Sequence, residues 1–190
     1  MPPKQKFSRQ EIVEAALSLT RERGISAVTA RDVGAMLGTS SKPVYTAFSS
    51  MADLKGAIYD AASKRFSDYC KDSMEQAEGP AYKELGRAYI EFARRERELF
   101  KLLFMSDYTE IPNAKEKDLV FSEAVSLVRM QAGIEDAAAR RLHTEAWIFL
   151  DGIATMIATA THDWTEDEIG CMTSDVYQAL VVRLKKGESV

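Results

Sequence analysis

The stretch from residue 29 to residue 55, TARDVGAMLGTSSKPVYTAFSSMADLK, constrains the chain more than any other, because three helix-start signals fall inside it with stop signals between them. Thr29 is placed as an N-cap, its hydroxyl accepting from a backbone N–H of the first turn, with Asp32 at N3. Val28 before the cap and Val33 at N4 have the spacing of a hydrophobic staple. Val33, Met36 and Leu37 supply an apolar face at helical spacing, and Gly38 offers the left-handed residue that ends the helix. Thr39, Ser40 and Ser41 then provide a turn and the next cap. Pro43 is tolerated only in a first helical turn, so a second short helix is predicted at about Ser41 to Phe48. Ser50 with Asp53 is a third cap, opening a helix near Met51.

A short helix, a turn containing glycine and a second short helix make a helix-turn-helix, whose second helix enters the DNA major groove by its N-terminal residues. Here that helix begins Ser41-Lys42-Pro43-Val44-Tyr45-Thr46, with hydroxyls, an ammonium, a phenol and no carboxylate. The composition suits a surface that approaches phosphates. Ser40, Ser41, Lys42, Pro43, Tyr45 and Thr46 are therefore expected at the groove, with Tyr45 also in reach of a phosphate reading, and Val44 and Phe48 in the core. Thr29, Arg31, Lys55 and the basic arm of Lys4 and Lys6 are expected on the backbone phosphates.

Upstream, Ser8-Arg9-Gln10-Glu11 is a capping box with Phe7 and Ile12 as its staple, and the helix it opens runs to about Arg23, before Gly24. Its apolar positions Ile12, Val13, Ala16 and Leu17 are expected to face the two short helices. The net charge of −4 is divided unevenly: residues 1–56 hold eight Lys/Arg against five Asp/Glu, and the excess of acid lies beyond them. That asymmetry suits a nucleic-acid-facing end, although an excess of three over 56 residues also arises by chance.

The pattern Gly38, Ser40, Val44, Tyr45, Phe48, Ser50 and Leu54, with Ile12, Ala15, Ala16, Leu17, Gly24, Thr29 and Asp32 upstream, resembles the DNA-binding domain of the tetracycline-repressor-like (TetR) family of bacterial regulators. The resemblance covers about the first third of the chain. Ala47 stands where the family often has His. Met51 stands where it usually has a phosphate-contacting Lys, with Lys55 one turn further on. Trp147-Ile148-Phe149-Leu150-Asp151-Gly152 also resembles the Trp-x-x-x-His-Gly signature of one subfamily, with Asp151 in place of the His. Glu98-Leu99-Phe100-Lys101-Leu102-Leu103-Phe104 resembles the same group, whose C-terminal domain is all-helical. The resemblance implies a cytoplasmic regulator acting on a double-stranded DNA operator.

The rest of the chain carries no strand signal, so the expected fold is all-α. A three-helix DNA-binding domain over residues 1–55 is joined by a long helix to a helical effector-binding and dimerisation domain over residues 56–190. The helix opening near Met51 meets no breaker before Gly79-Pro80 and is the expected link. Pro80 opens a fifth helix, 99–105 is a short buried helix, and 106–113 with Pro112 is a loop. Further helices are predicted at about Ala114–Ala132 before Gly133, at Asp136–Thr161, and after the cap Thr165-Glu166-Asp167-Glu168, with Trp164 and Ile169 as staple. Met172, Val176, Leu180 and Leu184 form a stripe on the last helix, and Ala154, Ala158 and Ala160 are small residues on the one before. Both suit a two-fold dimer through the last two helices, though such stripes are as often intramolecular core.

Aromatic residues in the second part exceed what a bundle of Leu and Ile needs, and apolar spaces between helices suit small molecules. Phe66, Tyr89, Phe92, Phe104, Phe121 and Trp147 are the candidate walls for an apolar or aromatic effector. Asp151, which interrupts an apolar run, is the polar group beside them. Core packing accounts for the same aromatics, and a hydrogen bond within the bundle for Asp151. A DNA-binding protein without an effector would therefore read almost the same. An enzyme would need converging polar groups, and the sequence has no GxSxG, P-loop, GxGxxG after a strand or HExxH. His143 and His162, nineteen apart on what reads as one helix, are no metal pair, so neither a catalytic site nor a metal or cofactor is expected. Cys70 and Cys171 lack any CxxC spacing and read as buried thiols in a reducing cytosol. No apolar run reaches membrane-spanning length.

Overall fold

Side chains three residues apart set where the helices begin. Ser8 Oγ accepts from Glu11 N while the Glu11 carboxylate accepts from Ser8 N, and Thr165 and Glu168 repeat the arrangement. Thr29 and Ser50 each accept from the backbone N–H three residues on, at Asp32 and Asp53. The computed structural model describes residues 7–106 and 121–186, and every regular element among them is helical, as the sequence predicts. In chain order these are α1 (Arg9–Arg23), α2 (Ala30–Met36), α3 (Lys42–Ala47), α4 (Met51–Glu75), α5 (Ala81–Arg95), α6 (Arg97–Phe100), α7 (Phe121–Ala132), α8 (Asp136–Ala158) and α9 (Glu166–Lys185). A 3-10 turn at Ile25–Ala27 follows α1, and a π turn at Lys101–Met105 continues α6.

Two boundaries differ from expectation. Phe48 leaves the helical region, so α3 is shorter than the predicted span. α8 stops at Ala158 rather than Thr161, because Ala160 takes the left-handed conformation at φ 56°. Ala160 N–H then bonds to Ile157 O and Thr161 N–H to Met156 O, the pattern normally closed by glycine. His162 therefore lies beyond the helix that carries His143, and the two do not share one helix. The predicted start of α7 at Ala114, and the loop with Pro112, fall outside the described residues.

Of the described residues, 7–66 with 96–106 form one compact unit, and 67–95 with 121–186 form a second. α4 runs unbroken through the division at residue 66. In the first unit Ile12, Ala16, Leu19, Val33, Val44, Leu54 and Ile58 are buried around one core. Residues 97–105 pack on it as well: α6 lies on α1, Leu99, Phe100, Leu102 and Leu103 are buried, and Phe104 meets Phe66 edge-on at 5.2 Å. Glu96 leads this segment in. Its carboxylate accepts two hydrogen bonds from Arg21 of α1, both at 2.7 Å, and two from Arg65 of α4 at 3.1 and 2.7 Å. Burial opposes the charge on Glu96, but the bonds from Arg21 and Arg65 outweigh it and hold the carboxyl below its ordinary pKa.

In the second unit α8 packs against α5, α7 and α9. Two polar contacts tie α5 to α8: Tyr89 donates to Asp151 at 2.7 Å, and the Tyr82 hydroxyl lies 3.0 Å from His143 Nδ1. The Phe121 ring stands edge-on to His143 at 4.6 Å. Cys70 is buried, its thiol pushed up to about 12 by burial, whereas Cys171 is exposed on α9, contrary to the reading of two buried thiols.

Candidate nucleic-acid interface and ligand groove

The connection from α2 to α3 is built by backbone geometry. Gly38 has φ +67°, its N–H bonds to Ala35 O at 3.0 Å, and Thr39 N–H bonds to Gly34 O at 2.9 Å. This closes α2 with the left-handed glycine cap expected from sequence. The chain then doubles back so closely that a Cβ on Gly34 would lie 2.6 Å from Ser40 O. Gly34 is therefore what lets α3 start against α2. The signal for it in the sequence is its place inside a helix, where a glycine costs about 1 kcal/mol relative to alanine and so points to a packing reason. Ser40 Oγ, rather than Ser41 Oγ, accepts from Lys42 N, at 3.4 Å.

Helical spacing sorts α3 into two faces. Val44 and Phe48 are buried, while Lys42, Thr46 and Tyr45 are exposed, Tyr45 at 65 %. Ser40 is exposed beside them, and Ser41 and Pro43 are half-buried. Thr29 and Arg31 are exposed at the start of α2, and the Thr29 hydroxyl is committed to Asp32, whose N–H it accepts and whose carboxylate it meets. Lys55 is half-buried on α4. Lys4 and Lys6 lie outside the described residues. Arg9, the first residue of α1, is a strut. It pairs with Asp53 at 3.0 Å, and its guanidinium lies 4.4 Å from the centre of the Phe48 ring. Asp53 also accepts from Ser49 N at 3.0 Å, and this bond above all holds its carboxyl below the ordinary carboxylate pKa. The end of α3 is thereby fastened to the starts of α1 and α4.

The seven residues expected around an effector are divided between the units. Phe66 and Phe104 belong to the first unit. Tyr89, Phe92, Phe121, Trp147 and Asp151 belong to the second, where Phe92 is fully buried, Trp147 is 37 % exposed and Asp151 is half-buried against Tyr89. The second unit also holds a groove of about 1130 Å³ lined by other residues, from the last turns of α4, from α5, from the middle of α8 and from α9. Among the described residues no group of His, Cys, Asp and Glu is arranged to hold a metal ion, and no helix is long and apolar enough to cross a membrane.

An exposed polar helix held across a tight glycine turn by a small helical core defines a helix-turn-helix DNA-binding protein. Residues 12–58 match the family described as bacterial regulatory proteins, tetR family, and residues 82–174 match the tetracyclin repressor-like C-terminal domain. The chain belongs to the TetR family and is a DNA-binding transcriptional regulator. Its fold is similar to that of a protein with unknown function from Rhodococcus sp. RHA1, with a TM-score of 0.76 and 21% identity over 95% of this chain and 100% of that one. A TetR-family member from Streptomyces coelicolor A3 gives a TM-score of 0.58 at 21% identity, over 94% and 98% of the two chains. Multidrug binding protein EbrR, complexed with ethidium, gives 0.64 at 21% identity, over 95% and 99%. A search of curated proteins finds no significant match.

Proposed function

We propose that the protein is a cytoplasmic repressor that binds a palindromic operator as a homodimer and is released by a small apolar or aromatic effector. The observation that carries the DNA reading is the exposed, carboxylate-free start of α3 above a buried Val44 and Phe48. On this reading Ser40, Ser41, Lys42, Pro43, Tyr45 and Thr46 meet the groove, and Thr29, Arg31, Lys55, Lys4 and Lys6 meet phosphates. A single short helix reads few base pairs, so a two-fold dimer on half-sites about one helical turn apart supplies the needed specificity. The exposed apolar residues of α8 and α9 support that assembly. Ile148 is 62 % exposed, Met156 42 % and Val182 53 %, whereas Ala154 and Ala158 are buried inside the chain's own bundle.

Release works through α4, which takes part in both units and spans roughly 37 Å at 1.5 Å per residue. A ligand bound in the second unit that tilts this helix moves α3 by several ångströms, and a coupling of about 1–3 kcal/mol frees an appreciable share of operator. EbrR, a structural neighbour, is complexed with ethidium, which supports an organic effector. The test begins with DNA selected from a random pool. Lys42→Ala with Tyr45→Ala is expected to weaken binding to that DNA by about 1–3 kcal/mol for each base that α3 no longer reads. Unchanged binding would show that α3 is not the reading helix, and a monomeric mass at micromolar concentration would remove the dimer.

A further inference from the structure

None of the seven residues expected around an effector lines the groove in the second unit. α5 and α9 run along its two sides and are tied together at both ends. At one end the rings of Tyr82 and Tyr177 stand 5.8 Å apart. At the other, Arg94 donates to Trp164 O at 2.9 Å and pairs with Asp163 at 3.0 Å. Between the ties each wall carries a glycine, Gly86 on α5 and Gly170 on α9. A Cβ on Gly170 would meet nothing within 4 Å, so the space beside it is open. A volume of about 1130 Å³ lies just above the usual range for small-molecule sites, so the groove has room for one.

Three donors in its lining lack acceptors. Arg94 Nε is buried without a hydrogen-bond partner, its closest anion being Glu91 at 3.8 Å. The hydroxyls of Tyr69 and Tyr177 make no hydrogen bond among the described residues, and burial pushes both phenols up, so they stay protonated donors. An incoming acceptor would meet the buried Arg94 Nε–H and the two half-buried phenols. The charges balance: the four cations Lys83, Arg87, Arg94 and Arg95 face the four anions Glu91, Glu166, Asp167 and Asp175. Apolar surface comes from Ile90, Phe149, Leu150 and Ile169. With no net charge, and with Arg94 already paired to Asp163, the lining favours neither an anion nor a cation over a neutral molecule, whose desolvation costs least.

We propose, building on the effector-released reading above, that this groove between α5 and α9 is the effector site and takes an uncharged, largely apolar molecule with a carbonyl-type acceptor, bound by Tyr69, Tyr177 and Arg94. The DNA-free protein is titrated with prodan, an uncharged naphthyl ketone whose emission moves to the blue in apolar surroundings. 2-Acetonaphthone, 2-ethylnaphthalene and 2-naphthoate then compete for it. The ketone is expected to displace prodan at about tenfold lower concentration than the hydrocarbon or the carboxylate, and Tyr69→Phe with Tyr177→Phe removes that preference. Gly170→Phe fills the groove from a helical position with room for its Cβ, and abolishes prodan binding while the far-UV spectrum is unchanged.

Alkylation of wild-type Cys171, which lines the groove and is exposed, reports occupancy without any substitution. Acetonaphthone slows its reaction with N-ethylmaleimide. Equal competition by all three compounds, prodan binding to folded Gly170→Phe, or an undiminished alkylation rate at saturating ketone overturns the proposal. DNA is absent from every arm, so failure of this site is distinct from failure of operator release.

Discussion

Replacing Gly34 by alanine adds one carbon at the point where α2 passes the start of α3. That carbon would sit 2.6 Å from Ser40 O, 2.7 Å from Ser40 C and 3.0 Å from Ser41 N. All three are backbone atoms, so no side chain can rotate away, and ordinary contact with the oxygen returns only after a shift of about 0.8 Å. Overpacking of this kind costs about 1–3 kcal/mol. Alanine recovers about 0.5–1 kcal/mol of helix propensity, which leaves a net loss of about 0–2.5 kcal/mol, near 1 at the centre of both ranges. The shift also moves the first turn of α3, and binding geometry tolerates only about 0.5 Å, so affinity for a selected operator falls by tenfold or more. Urea unfolding followed by circular dichroism gives the first quantity, and anisotropy of labelled operator gives the second. Gly170→Ala makes the same exchange on α9 in open space and is expected to stabilise by about 0.5–1 kcal/mol. If Gly34→Ala instead raises the urea midpoint and leaves operator affinity unchanged, the close approach of α2 and α3 is not what this glycine serves.

Glu96→Gln removes the charge that Arg21 and Arg65 share, at a cost of about 1–2 kcal/mol at neutral pH, reduced from the value of a fully buried pair because both arginines are half exposed. The Glu96 pKa is depressed in the fold, so its contribution is complete above the ordinary value of 4.5 and is lost as pH falls through the folded value. The urea midpoints of wild type and variant therefore converge in acid. Ala160→Gly relieves an L-residue held at φ 56° and raises stability by about 1 kcal/mol, read as an increase in Tm. Arg31→Ala, if Arg31 meets phosphate, weakens binding to all sequences alike and lowers the slope of log K against log salt by about 1. A loss confined to the selected operator would instead make Arg31 a base contact.

Features whose partners lie within one helical turn were legible from the residues. The capping boxes at Ser8 and Thr165, the caps at Thr29 and Ser50 and the left-handed Gly38 each join groups three to five positions apart. Side-chain identity and spacing settle such contacts whatever the rest of the chain does. Periodicity likewise placed Val44 and Phe48 inside and Tyr45 outside, since a helix repeats every 3.6 residues.

What lay beyond reach was which buried face meets which. Aromatic abundance marked Phe66 and Phe104 as effector walls or core, but only the fold pairs them with each other, in the unit that carries the helix-turn-helix. Glu96 and its arginines are 31 and 75 residues apart, and in sequence they look like ordinary solvated charges on helix ends. Arg9 and Asp53, 44 apart, looked no different. The groove between α5 and α9 is a property of two helices tied at their ends and held apart by what lies between them. No local pattern encodes it, because burial of an apolar face lowers the free energy in much the same way against any complementary surface. The choice among surfaces is made by the packing of the whole chain.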